Sequence, residues 1–216
     1  KIQYLCNSNF MAMKKKTMII LFLLGFMATS FASNPVTLIE FHNTFNFLEE
    51  VQYVTEHGQI DGRIVTFLVD QNNPIDEKAG IINALTANNK YSSNALTFKQ
   101  YVARKYKENW ENLNLDKLTA DELFCLGYLT ILDEKGNSTN GLPMLELAEQ
   151  KNPTSYTISL FRAMASAERS INGGNECEGW KTCNAVKSNS SLNNDLDSGV
   201  ANLIFDSMES FNNGCE

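Results

Sequence analysis

The run from Leu123 to Leu132 is too apolar to lie on the surface of a folded chain. Thr119-Ala-Asp-Glu122 precedes it in the pattern of a capping box: the Thr119 hydroxyl can accept the amide three residues on, and Glu122 can reach back to the Thr119 amide. Leu123, Phe124, Leu126, Tyr128, Leu129, Ile131 and Leu132 then leave few polar positions before Asp133-Glu-Lys-Gly136, so this helix is expected to be wrapped on more than one side. A second helix is predicted to open at Leu142-Pro143, where proline lacks only an amide that has no intrahelical partner. Leu145, Leu147 and Ala148 line it until Asn152-Pro153 stops it. A third carries Tyr156, Ile158, Leu160, Phe161, Met164, Ala165 and Ala167 at spacings of three and four, and ends at Asn172-Gly173-Gly174. Three helices on short turns lie roughly antiparallel, and the stretch Thr119–Ile171 organises the chain. The expected fold is all-α: one compact domain of about six to eight stacked helices, with a disulfide-stapled C-terminal segment.

Within this stretch, residues 122–153 resemble a tetratricopeptide or Sel1-like helical hairpin. Leu126-Gly127 stands where the Leu-Gly of the first helix falls, and Leu145, Ala148 and Pro153 stand near the large, small and proline positions of the second. No Trp precedes Leu126-Gly127, Thr130 replaces the usual aromatic, and Gly141 opens the second helix. The resemblance implies stacked helices.

Upstream, apolar residues at 38, 41, 45, 48, 51 and 54 predict one long amphipathic helix from Val36 to His57, closed near Gly58. Ile60–Val69 is β-branched, but an isolated strand would leave its edges unpaired, so helix is expected. Asn73-Pro74 opens another helix with Asp76 and Glu77 in its first turn and Ile81, Ile82 and Leu85 on its apolar face, although Gly80 interrupts it. Ser92 or Ser93 is placed to cap a helix through Leu96, Phe98, Tyr101, Val102 and Tyr106. Trp110, Leu113 and Leu115 should pack down the linker that follows. Beyond Gly174, Cys177–Val186 reads as a short helix and Lys187–Asn194 as a polar loop. Asp195 or Asp197 is expected to cap a last helix ending at Asn213-Gly214.

The N-terminal region carries targeting signals. Lys14, Lys15 and Lys16, an apolar core from Met18 to Met27 and Ser30-Phe-Ala32 predict a signal peptide over residues 13–32, cleaved near Ala32; residues 1–12 read as an overextended or non-native start. The protein is therefore expected to be secreted or periplasmic as an all-α domain over residues 33–216. Four of the 18 basic residues lie before Ser33 and none of the 25 acidic ones does, so the remainder carries a net charge of about −11. Such a surface disfavours nucleic acid, because no basic cluster is left to displace phosphate counterions. No second long apolar run is present, so the mature chain is not expected to span a membrane. Cys125, Cys177, Cys183 and Cys215 make an even set behind a signal peptide. The preferred pairing is Cys177 with Cys183 and Cys125 with Cys215, the alternative for Cys125 being a small buried thiol.

Little catalytic chemistry is legible. His42 and His57 are the two imidazoles, and on one continuous helix they would stand about 22 Å apart. His42 is expected at the surface or its boundary, and His57 at a helix C-terminus. No metal motif, phosphate cradle or cofactor signature is present, and Asp70-Gln-Asn-Asn-Pro-Ile-Asp-Glu77 lacks the glycine of a calcium loop. Paired carboxylates, such as Glu49-Glu50 or Glu122 with Asp133, keep open a glycan-cleaving enzyme; an envelope structural protein is a further alternative. The preferred expectation is a noncatalytic module that binds another protein. Its concrete form is an acidic inhibitor or immunity protein against a basic toxin or hydrolase. Not all of Phe45, Phe47, Tyr53, Tyr91, Tyr101, Trp110 and Trp180 can be core, and Trp180, Tyr53 and Trp110 are the candidate interface residues. The alternative for Trp180 is a local plug over the cysteine-containing segment.

Overall fold

The computed structural model describes residues 35–88 and 93–215. The expected signal peptide, the 1–12 segment with Cys6, the Tyr91 aromatic and the Ser92 cap lie outside them. Among the described residues no β-strand forms, and ten α-helices follow one another: α1 (Pro35–Leu38), α2 (Glu49–His57), α3 (Gly62–Val69), α4 (Ile75–Asn83), α5 (Asn94–Tyr106), α6 (Ala120–Asp133), α7 (Leu142–Lys151), α8 (Tyr156–Asn172), α9 (Glu176–Lys187) and α10 (Ser198–Glu209). Short 3-10 turns occupy His42–Phe45, Ala84–Ala87, Trp110–Asn112, Leu115–Lys117 and Asn212–Cys215. This is the all-α class that the apolar spacing predicts. The ten helices exceed the six to eight expected, and division of the predicted first helix accounts for one of them.

Helix α6 is the centre, packed against α1, α3, α4, α5 and α7. Every residue from Glu122 to Leu129 is buried. Its capping box is complete: Thr119 Oγ1 accepts the Glu122 amide at 3.2 Å, and Glu122 Oε2 accepts the Thr119 amide at 2.8 Å. The same carboxylate receives Lys105 Nζ at 2.7 Å and the Tyr106 hydroxyl at 2.8 Å, so the start of α6 is bound to the end of α5. At the other end Asp133 accepts the Ala95 amide at 2.8 Å. Helix α5 is thus capped by a carboxylate from a neighbouring helix; Ser93 occupies the N-cap without a side-chain hydrogen bond. Helices α6 and α7 cross closely where Gly127 and Gly141 meet, since a Cβ on Gly141 would lie 2.5 Å from the Gly127 carbonyl oxygen. Phe161 of α8 completes the core, with ring centroids 5.4 Å from Phe124, 4.9 Å from Tyr128 and 5.8 Å from Phe41.

The long first helix does not form. Its predicted span is divided into α1, an irregular stretch, the 3-10 turn His42–Phe45 and α2, which Gly58 closes in the left-handed conformation. Phe41, Phe45, Val51 and Val54 are buried as their spacing implies, but from separate short elements.

The disulfide pairing is also corrected. Cys177 is bonded to Cys215, while Cys125 and Cys183 are buried free thiols. Cys177 and Cys183 stand six residues apart on the continuous helix α9, a rise of about 9 Å that no disulfide can span. Cys125 sits in the middle of α6, its thiol directed at the Leu68 carbonyl, and burial pushes its pKa up. Burial likewise pushes the Cys183 thiol up to about 12. The C-terminal turn instead folds back onto the start of α9, where Gly214 packs against Glu176 and Cys177. The stapled C-terminal segment is present, closed by one bond.

Peptide mapping of the unreduced protein is expected to recover Cys177 linked to Cys215, with Cys125 and Cys183 alkylated only after unfolding. For a separation of 38 residues, Cys215→Ser should lower stability by about 4 kcal/mol through loop-closure entropy. A Cys177–Cys183 link would contradict the fold.

Candidate functional site: an acidic groove with an aromatic wall

One buried amide shapes the candidate site. Asn83, at the end of α4, is fully buried within the apolar face Ile81-Ile82-Asn83-Ala84-Leu85. Its Oδ1 accepts the amides of Phe41 at 2.8 Å and His42 at 2.9 Å; its Nδ2 donates to the Ile39 carbonyl at 2.9 Å and the Tyr128 hydroxyl at 3.1 Å. Both lone pairs and both N–H groups are used. The chain at 39–42 takes its hydrogen bonds from this side chain and leaves the helical path. The following turn lays Phe45 on Gly80, where a Cβ would come within 2.3 Å of the ring. Gly80 is therefore required by packing against Phe45, although glycine is a poor helix former.

Phe47, two residues on, stands 70% exposed with its ring centroid 6.3 Å from that of Phe45. These rings and Thr44 form one wall of a groove of about 600 Å³. The first turn of α4 forms the second, with Pro74, Ile75, Asp76 and Glu77; the loop Asn194–Ser198 forms the third. That loop is fastened on both sides. Asn193 N–H donates to the Thr154 carbonyl at 2.7 Å, Asp195 Oδ1 accepts the Thr157 amide at 2.8 Å, and Asp197 Oδ1 accepts the Gly199 and Val200 amides at 2.8 and 3.1 Å. Asp197 thus caps α10, as one of the two alternatives predicted, while Asp195 supplements the Ser155 N-cap of α8. The Asp197 amide donates to Asp76 Oδ2 at 3.2 Å, joining the second and third walls.

The groove lining holds four carboxylates, Asp76, Glu77, Asp195 and Asp197, and no Lys, Arg or His. Burial, then the charge of Asp195, holds the Asp76 carboxyl above its ordinary value against the amides of Glu77 and Asp197 that favour its anion. Burial, then Asp76 and Glu50, raises Glu77. Among the described residues no group donates a hydrogen bond to the Glu77 carboxylate.

The residues singled out from sequence occupy other places. Tyr53 stacks on His57 at 4.2 Å with the Arg63 guanidinium 4.9 Å from its ring, and burial followed by its hydrogen bond to Asp61 raises its pKa. Trp110 is 39% exposed with Lys99 Nζ 5.9 Å from its ring. Trp180 is half-buried on α9, its indole N–H donating to Glu209 of α10 at 3.2 Å. None of the three lines the groove. His42 is buried, contrary to the surface expectation, with no hydrogen-bond partner for Nδ1 among the described residues; His57 is exposed, its Nδ1 2.8 Å from the Tyr53 carbonyl. The spacing inferred for a continuous helix does not apply to this pair. Glu122 and Asp133 stand at opposite ends of α6, the first closing its capping box and the second capping α5, and do not converge. Glu49 is exposed beside Arg63 at 4.0 Å. No group of three or more His, Cys, Asp or Glu side chains among the described residues is arranged to hold a metal ion. None of the described helices is long and apolar enough to cross a membrane.

No protein-family model, curated protein or solved structure matches the chain.

Replacing Asn83 by Leu orphans two buried amides, a carbonyl and a hydroxyl, and should cost about 3 kcal/mol or more in urea unfolding. Phe47→Ala should change stability by no more than about 0.5 kcal/mol, because the ring is exposed. Equal effects from the two substitutions would contradict the assigned roles.

Proposed function

We propose that this protein is a noncatalytic binding module of the secreted or periplasmic space that takes a basic segment of a partner protein into the acidic groove. Its concrete form is an inhibitor or immunity protein against a basic toxin or hydrolase. The observation that carries this reading is the pairing of four carboxylates, uncompensated by any cation in the lining, with the exposed ring of Phe47. A Lys or Arg side chain matches both features, its head meeting the carboxylates and its stem the aromatic and aliphatic wall. The resemblance of residues 122–153 to a tetratricopeptide or Sel1-like hairpin agrees with a rigid helical scaffold for such a surface.

One observation favours a second reading. Asp76 and Glu77 share a concave site and burial raises each above its ordinary value, and a carboxylate-based glycan-cleaving enzyme needs one such raised carboxyl as its general acid. Against it, Asp76, Asp195 and Asp197 each accept backbone amides and serve as caps or clasps, which leaves Glu77 as the one lining carboxylate without such a bond.

The oxidised chain, immobilised and exposed to envelope extract at moderate salt, should retain one basic protein stoichiometrically. Phe47→Ala should weaken that capture about thirtyfold and Glu77→Lys should abolish it. Capture that both variants leave unchanged, or hydrolysis of a glycan that Glu77→Gln abolishes, would overturn the binding reading.

A further inference from the structure

We infer that the groove exchanges a proton for the cationic side chain it receives, so that a partner segment held at neutral pH is released in mild acid. This rests on the groove being the binding surface proposed above.

The geometry concentrates negative charge that the lining does not neutralise. Asp76 and Glu77 are consecutive in the first turn of α4, and Asp195 and Asp197 face them from the loop before α10. Asp76 is faced by Asp195 and by the amides of Glu77 and Asp197; Glu77 is faced by Asp76 and by Glu50 of α2. Burial and the neighbouring carboxylates make the ionised forms of Asp76 and Glu77 costlier than in water, so a proton competes with an arriving cation for them. The two positions differ in what they can give up. Asp76 accepts the Glu77 amide at 2.9 Å on one oxygen and the Asp197 amide at 3.2 Å on the other, so it holds the walls together. Glu77 has no such commitment among the described residues and is free to meet an ammonium or guanidinium group. An aliphatic stem behind that group would lie along Phe47.

The sign follows from the direction of the shifts. Burial and neighbouring carboxylates hold Asp76 and Glu77 above their ordinary values of 3.8 and 4.5. An arriving cation favours the ionised forms, so the complex binds fewer protons than the empty groove. Affinity is therefore full above the pKa of the empty groove and falls as pH drops through it, beginning at a higher pH than an ordinary carboxylate would give. The partner's Lys or Arg stays charged throughout that range, so the dependence belongs to the groove.

Titration calorimetry of the oxidised full chain tests this. The probe is a capped pentapeptide, Leu-Lys-Leu-Lys-Leu, with a version carrying norleucine for lysine as control. Measurements at pH 7, 5 and 4 in two buffers of different ionisation heat count the protons released. The expected result is binding of the lysine peptide alone at pH 7, proton release on binding that grows as pH falls toward the groove's pKa, and affinity falling about tenfold per exchanged proton for each pH unit below it. Glu77→Gln, with its helical circular dichroism unchanged, should bind more weakly at pH 7 and release fewer protons. Binding at pH 7 that persists undiminished to pH 4 without proton release overturns the exchange and leaves the groove reading standing. No binding at pH 7, or equal binding of the norleucine peptide, overturns both.

Discussion

The side chain of Asn83 joins the helical core to the candidate site. A polar amide at the centre of an apolar face is costly unless every donor and acceptor is met, and here four groups meet it. Three belong to the backbone of residues 39–42 and one to Tyr128 of the central helix. The bonds divert the chain out of a helix, deliver Phe45 onto Gly80 and leave Phe47 exposed beside the acidic first turn of α4. Without them the apolar spacing between Val36 and His57 would favour a continuous helix, and the aromatic wall would not exist in this form.

The parts of the fold legible in sequence are those governed by local rules. The capping box at Thr119, Pro143 in the first turn of α7 and the spacing along α8 depend on residues within one or two turns of each other, and each feature is present. The spacing before His57 correctly marks the buried residues Phe41, Phe45, Val51 and Val54, since a period of three to four identifies a face. It does not establish continuity, because a distant amide can satisfy the backbone as well as the helix can. Asn83 between Ile82 and Ala84 was the available signal, a polar residue inside an apolar run. The expected Cys177–Cys183 pairing is excluded by a local rule, because a helix through Cys177–Val186 holds the two residues too far apart for a bond.

The candidate site was less legible because its carboxylates also serve ordinary structural roles. Asp76 and Glu77 suit a helix N-terminus, and Asp195 and Asp197 suit caps, so nothing in their local pattern indicates a shared groove. They converge across 121 residues of sequence, through the Asp197 amide and the Asp76 carboxylate. The aromatic residues expected at an interface, Tyr53, Trp110 and Trp180, each have polar or cationic neighbours of their own. Phe47 is distinguished from them by exposure, a tertiary property.

The most direct test of the groove as the binding surface is an amide chemical-shift titration of the oxidised chain with the capped Leu-Lys-Leu-Lys-Leu peptide at neutral pH. The account predicts changes concentrated in Thr44–Phe47, Ile75–Glu77 and Asn194–Ser198, three segments distant in sequence that share one cavity. Changes centred on Trp180, Trp110 or Tyr53 with these segments unmoved would place recognition elsewhere and contradict it.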